Sequence, residues 1–488
     1  MATHDPRSNA SPSTGTRAVV LGASMAGLLA ARVLSDHFGE VVLLERDALP
    51  DGPRPRKGTP HAVHPHGLLA RGLQVLEGLF PGFSNRMLER GGLAGDITGD
   101  VAFEANRERF AACHGGLQAL VVSRLAIEAE LRTRVLARPN VRAITGVTAL
   151  APKHEAGRVE AAQYSMPDSE SGEAQACELA ADLVVDCTGR GSQAPRWLRE
   201  WGYQEVLEER VEIGIAYTSA YFKREGSLAL GPDLQKVAVF GAVTNAQPRP
   251  GVLLAQEPGG EGAPRWVVSV GGFRGDHAEP TLDGLRAHAR SIGSAEITKV
   301  THEGDLLGEV MRYQMPHSQR RRYERMRRLP RGFLVMGDAI TSFNPIYGQG
   351  MTVAACEALA LQGEVARAGR EADARRFFRA AAKVVDTPWQ VAVGGDLSIA
   401  SVPGKRPLAV RIVNAYIGRL YRVAPRDPVV SLAFQRVVHL LDEPTALFAP
   451  KVLWRALRPQ ERNYGRMTGI DRMPQARQAT ENVEHQTS

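Results

Sequence analysis

The chain has 488 residues, 43% hydrophobic and 23% charged, enough apolar material for one large or two joined cores and too much for wholesale disorder. Its net charge of +7 is thinly spread except for one dense run at 318–328, SQRRRYERMRR. Only Tyr323 lies near that run, which excludes a recognisable nucleic-acid site and leaves a solvated helix face or loop as the expectation.

Residues 1–15 read as a disordered tail. RAVVLG then reads as a buried strand, MAGLLAARVLSDHFG as a helix ending at Gly39, and EVVLLE as a second buried strand. The apolar stretch is too short to cross a bilayer, so no integral membrane segment is expected. Strands apolar throughout belong to a parallel sheet covered on both faces. The turn Gly22-Ala23-Ser24-Met25-Ala26-Gly27 occupies the place of a dinucleotide-binding G-x-G-x-x-G, with Ser24 in place of the second glycine. Glu45 ends the second strand about 20 residues on, where a ribose-binding carboxylate belongs. Gly22, Ser24, Met25, Ala26, Gly27 and Glu45 are therefore candidate cofactor residues.

The stretch TPHAVHPHGLL holds His61, His64 and His66. A metal site needs three or four converging ligands, and no second His/Cys cluster accompanies this one, so no metal is expected. Pro60 and Pro65 hold their predecessors extended. An irregular lead-in to a helix from about Gly67 follows, with the imidazoles either packing the loop or lying beside a cofactor. The four cysteines (Cys113, Cys177, Cys187, Cys356) form no CxxC pair and are expected as reduced, mostly buried thiols of a cytoplasmic protein.

DLVVDC reads as another parallel strand. VEIGIAYTSAYF, KVAVFGAVT and RWVVSVGGF then suggest an antiparallel sheet. Tyr217 and Tyr221 alternate on one face, and with Phe240 and Trp266 on neighbouring strands they are candidates for an apolar substrate wall. GFLVMGDAITSFNPIYGQGM reads as a strand, Asp338, a Pro/Gly-rich loop and a helix from about Met351. Asp338 could take a ribitol hydroxyl, and the loop could aim backbone N–H groups at charge developing on a ring. A second binding element so far down the chain suits FAD better than NAD. The expected fold is α/β: a Rossmann-like FAD-binding domain (16–200 and 311–365), an inserted antiparallel β-rich substrate domain (201–310), a C-terminal helical region (366–470) and a loose tail (471–488).

VVLGASMAGLLAARVL with LLERD, RKGTPHAVHPHGLL, SRLAIEAEL, DLVVDCTGRGS and LVMGDAITSFNPIYGQGM together resemble the FAD-dependent monooxygenases of the aromatic-hydroxylase and squalene-epoxidase superfamily. Within it, RKGTPHAVHPHGLL, DCTGRGS and FNPIYGQGM are most similar to bacterial flavin epoxidases of polyether polyenes. The resemblance implies that Arg46 lies near the ADP half, Arg124 reaches the phosphate or ribityl region, Val147 meets adenine and Asp338 holds the ribityl chain. Pro345, Gly348, Gln349, Gly350 and Met351 match the loop beside the isoalloxazine ring, and His64 and His66 match positions near it. His61 stands where a glutamine is common. Thr188 and Gly189 lie in DCTGRGS, where typical aromatic hydroxylases carry a D-G motif tied to nicotinamide binding. Electrons would then come from NAD(P)H directly or through a separate flavin reductase as partner.

The implied chemistry is insertion of one oxygen atom from O2 through a flavin hydroperoxide into an apolar polyketide- or terpenoid-like substrate. Epoxidation leads, because an alkene needs no base. Aromatic hydroxylation, or reduction or dehydrogenation of a prenyl-like chain, are the alternatives. No W-x-W-x-I-P halogenase signature is present, and Trp197 and Trp201 have another context.

Overall fold

The apolar runs assemble into a five-stranded parallel sheet in the order Phe333–Val335, Leu183–Asp186, Ser13–Leu21, Phe38–Glu45, Val141–Thr145. Except in the edge strand Val141–Thr145, where Arg142 and Thr145 are exposed, their side chains are sealed on both faces, as at Val19, Val42, Leu43, Val184 and Leu334, all 0% exposed, which is why no polar alternation marks them. The computed structural model describes residues 13–167, 174–225, 238–259 and 262–458. Apart from 13–15, the two expected tails, 1–15 and 471–488, lie outside the described residues.

The first helix spans Met25–Leu34 and stops at Ser35, not at Gly39. Gly39 belongs to the second strand, because the buried Phe38 opens that strand. The helix Gly350–Ala368 packs along this first helix. The turn after Phe333–Val335 presses on the same first helix: a Cβ at Gly337 would lie 2.5 Å from that of Ala26.

A second, seven-stranded sheet runs Leu306–Met315, Ile215–Lys223, Arg265–Phe273, Gly251–Gln256, Ala238–Gly241, Val101–Ala105, Glu108–Arg109. It is antiparallel except where Val101–Ala105 pairs with Ala238–Gly241. Residues 101–109, inside the first FAD-binding segment by the sequence boundaries, thus join this sheet, and its far strand runs past residue 310. Lys236 and Val237 of the expected KVAVFGAVT strand lie outside the described residues. One face is covered by helices Leu282–Ile292 and Ala295–Glu303 over Phe222, Trp266 and Val268. The other face turns toward the parallel sheet's carboxyl end. Helices Ala374–Asp396, Leu408–Val423, Pro428–Val438 and Pro450–Leu457 follow, the last ending at the edge of the described residues.

The basic run is solvated only in its second half, where Arg325, Arg327 and Arg328 are exposed. Ser318–Arg321 is a buried strand between Glu208–Val211 and Thr341–Ser342. Arg320 is 1% exposed and pairs with Asp386 at 2.6 Å. Arg321 pairs with Glu208 at 3.2 Å and donates to the Ala339 carbonyl at 3.0 Å. Opposite charge and backbone acceptors hold these guanidiniums inside the molecule, although the buried Arg320 Nε has no partner among the described residues. The four cysteines are free, and only Cys187 is buried. Among the described residues no helix is long and apolar enough to cross a membrane.

Candidate functional site

The carboxyl ends of the parallel strands converge on one cleft. Ser13–Leu21 leads to Gly22, Phe38–Glu45 ends on Glu45, Val141–Thr145 leads to Val147, Leu183–Asp186 to Thr188, and Phe333–Val335 to Asp338. In an open parallel sheet this end, where the strand order switches direction about the first strand, is where ligands bind.

Gly22 has φ +94, and a Cβ there would press on the Cys187 carbonyl at 2.8 Å. A Cβ on Gly27 would overlap the Gly22 carbonyl oxygen. Ser24 caps the helix by backbone alone, with no side-chain cap bond, so the first-turn N–H groups, starting at Met25 and Ala26, stay available to an anion. The Ala23 N–H donates to the Glu45 carboxylate at 2.7 Å, and the Val147 N–H to the Glu45 carbonyl at 3.1 Å. The guanidinium on Glu45 belongs to Arg56, at 3.0 Å, which also pairs with Glu128 at 2.6 Å. Arg46 is exposed and leans over Gly58. Arg56 and Glu128 were both in the stretches read for resemblance, yet only their fold neighbours reveal them as the turn's buttress.

Arg124 spans the cleft. It donates to Ser24 Oγ at 3.1 Å, to His61 Nε2 at 2.9 Å and to His66 Nε2 at 3.2 Å. A guanidinium only donates, so both imidazoles accept there and carry their proton on Nδ1. His66 Nδ1–H accordingly donates to the His64 carbonyl at 2.8 Å. Burial, reinforced by the Arg124 charge, pushes the His61 pKa down to about 3 and that of His66 well below its ordinary value. His64 turns the other way: buried, its Nδ1 lies 2.8 Å from Ser219 Oγ and its ring stands edge-on to Tyr217. The histidine cluster is therefore an arginine clamp. Among the described residues no group of three or more His, Cys, Asp or Glu could hold a metal ion.

Asp338 opens its carboxyl onto the cleft while protein surrounds it, and that desolvation raises its pKa against the opposing charges of Arg124 and Arg190. Gly189 and Gly350 flank it, each with its Cβ position about 4 Å away (4.0 and 3.9 Å). Thr188 folds back onto Asp186 through N–H and Oγ at 2.8 and 2.6 Å. The loop 344–349 is braced from behind. Asp396, 0% exposed, accepts from Asn344 Nδ2 at 2.7 Å and from Tyr347 Oη at 3.1 Å. Pro345 opens the loop's short 3-10 turn, Gly348 at φ +64 stacks on Gly67, and Met351 is buried. Gln349 is 2% exposed with its Oε1 lacking any protein partner.

A cavity of about 810 Å³ begins at this loop and runs between the second sheet and the C-terminal helices. Its walls are mostly apolar, and among the described residues no Asp or Glu lines it. Tyr217 and Phe240 do line it. Tyr221 instead donates to the Val63 carbonyl at 2.5 Å, under the Arg265 guanidinium. Trp266 pairs across strands with Phe222 and so faces the helices on the opposite side. Trp197 and Trp201 pack on Phe333 in the core.

No family model matches the chain. Protein Rv3254 of Mycobacterium tuberculosis is 33% identical over 463 residues, 90% of this chain and 93% of that one. Among solved structures, a flavoprotein/dehydrogenase from Cytophaga hutchinsonii superposes with a TM-score of 0.60 at 15% identity, covering 90% of this chain and 96% of that one. The flavin-dependent brominase Bmp2 does so with 0.60 at 15%, covering 87% and 94%. At such identities the likeness establishes the fold, which is that of these flavoproteins. The chain belongs to the family of Protein Rv3254.

Proposed function

We propose that the chain is an FAD-dependent monooxygenase that oxygenates an apolar substrate, with epoxidation of an alkene as its leading reaction. When bound, FAD would supply the activation of O2. The cleft fits such a dinucleotide: a glycine turn with free helix N–H groups for the pyrophosphate, Glu45 beside it for a ribose, Arg124 between the turn and the histidines, and Asp338 for the ribityl chain. The unpartnered Gln349 Oε1 and the loop 345–350 would border the ring. Asp396, through Asn344 and Tyr347, holds that loop in place, and the buried Tyr217 with the half-buried Phe240 keeps water from the reacting end.

The observation that carries epoxidation is the cavity itself. It meets the ring loop, and among the described residues no carboxylate lines it to serve as base. An alkene attacks electrophilic oxygen unaided, whereas phenol hydroxylation asks for a base. Reduction by NAD(P)H, directly or through a separate reductase, completes the cycle.

The purified protein should be yellow, with flavin absorbance. Incubated with polyene and aromatic candidates under labelled O2, it should give a product carrying one labelled oxygen by mass spectrometry. Turnover to the same product without oxygen sinks the monooxygenase reading, and protein that stays colourless with added FAD sinks the flavoprotein reading.

A further inference from the structure

Gln435 and His439 lie four positions apart at the end of helix Pro428–Val438, on one side of it, and both line the cavity. The His439 ring is fixed, because its Nδ1 accepts the Ala70 N–H at 3.2 Å. Burial pushes its pKa down to about 4, so the ring is neutral and its one proton sits on Nε2. That Nε2–H meets no protein partner among the described residues, and it is not sealed in the interior either, so it opens on the cavity. Gln435 is 3% exposed, and its carboxamide likewise has no protein partner. Buried polar groups are normally satisfied, and here the cavity is where the missing partner must come from.

The pair stands at the inner end. Ala70 begins the helix that follows Gly67, and Gly67 stacks on Gly348 of the ring loop. Val413 and Phe448, both exposed at the surface, line the outer end. Neither member of the pair is charged. Two arginines also line the cavity: Arg406 spends its guanidinium on the Leu397, Ile399 and Val402 carbonyls, and Arg411 is exposed on the same helix as Val413, away from the pair.

We propose that Gln435 and His439 seat one neutral oxygen, a ketone, quinone or hydroxyl, of an otherwise apolar substrate, and so fix which of its carbons faces the ring loop. This rests on the reading of the cavity as the substrate site, and it narrows that reading from a pure hydrocarbon to an oxygen-bearing molecule.

The test is equilibrium dialysis of the FAD-loaded protein with three probes of one shape: 2-acetylnaphthalene, 2-ethylnaphthalene and 2-naphthoate. The wild type should hold the ketone roughly tenfold tighter than the hydrocarbon, the scale of neutral hydrogen bonds at a dry site, and tighter than the carboxylate. In Gln435→Leu/His439→Asn the ketone-to-hydrocarbon ratio should fall to about one with hydrocarbon binding unchanged. Asparagine there keeps an acceptor for the Ala70 N–H and has no atom at the Nε2 position. Equal binding of ketone and hydrocarbon to the wild type overturns the proposal, as do tighter binding of the carboxylate, binding of neither neutral probe, or a ratio that survives in the variant. Flavin absorbance of the same samples judges the flavoprotein reading separately. If it fails, the ratio measured on the FAD-free chain still decides the role of the pair.

Discussion

A single hydrogen atom at Gly27 decides whether the glycine turn can close. The position has ordinary backbone angles, so its need for glycine is steric: a Cβ would overlap the Gly22 carbonyl. Gly27→Ala should push the first helix off the sheet, cost about 1–3 kcal/mol by overpacking, and release the cofactor. Flavin absorbance after gel filtration, with a thermal melt, checks this; full flavin occupancy would show the turn is not the pyrophosphate seat. Gly22, Gly27, Glu45 and Asp338 were legible because each sits at a fixed offset from an apolar strand. His61 and His66 were visible as a cluster but not as a clamp, since their partner Arg124 is 58 residues or more away. His439 gave no local signal at all, being 369 residues from the Ala70 N–H that orients it.

Among the elements, four of the five parallel strands were readable from apolar runs; the edge strand Val141–Thr145, half exposed, and the buried strand Ser318–Arg321 were not. A run of arginines carries the pattern of a solvated surface, and only distant carboxylates, Glu208 on the neighbouring strand and Asp386 on the helix Ala374–Asp396, let it enter the core. Strand parity hid Trp266 in the same way. Its own strand is plain, but which face it takes depends on register with Phe222. Because Arg321 holds the Ala339 carbonyl and the Arg190 carbonyl, this strand supports the turn that carries Asp338. Arg321→Met should leave Glu208 short of a partner, destabilise the fold by about 2–4 kcal/mol, and weaken FAD retention. Urea unfolding of wild type and variant, paired with flavin titration, measures both; unchanged values would make the strand's charges incidental.

For the whole molecule, buried titratable groups set opposing slopes of stability with pH. Burial raises Glu357 to about 8 and Asp396 to about 7 from carboxyl values of 4.5 and 3.8. The folded chain therefore keeps protons that the unfolded chain has lost, and stability falls as pH rises through that window. His61, His64 and His439 are lowered from 6.5 to about 3, 4 and 4, and His37, His66, His154, His288 and His317 are lowered as well, so their opposing slope persists through 6.5 and fades about one pH unit above it. From about pH 7.5 to about 8.5 the raised acids, Glu357 foremost, set the slope. The wild-type melting temperature should drop across this range, each group contributing at most about 1.4 kcal/mol per pH unit. Glu357→Gln, which keeps an acceptor for the Gly337 N–H, should flatten the drop; an unaltered slope would exclude Glu357 as a titrating group. The convergence of five strand ends on one cleft also bears on biosynthesis. The glycine turn is made before its partners: 186–189 emerge about 160 residues later, 338 and 350 more than about 300, and Val101–Ala105 waits for Ala238–Gly241 before it can pair. Such distant contacts are slow to form. A dinucleotide that binds only the finished cleft would add about 2.7 kcal/mol at a hundredfold excess over its Kd, so the cell's flavin supply would govern how much of this chain survives its own synthesis.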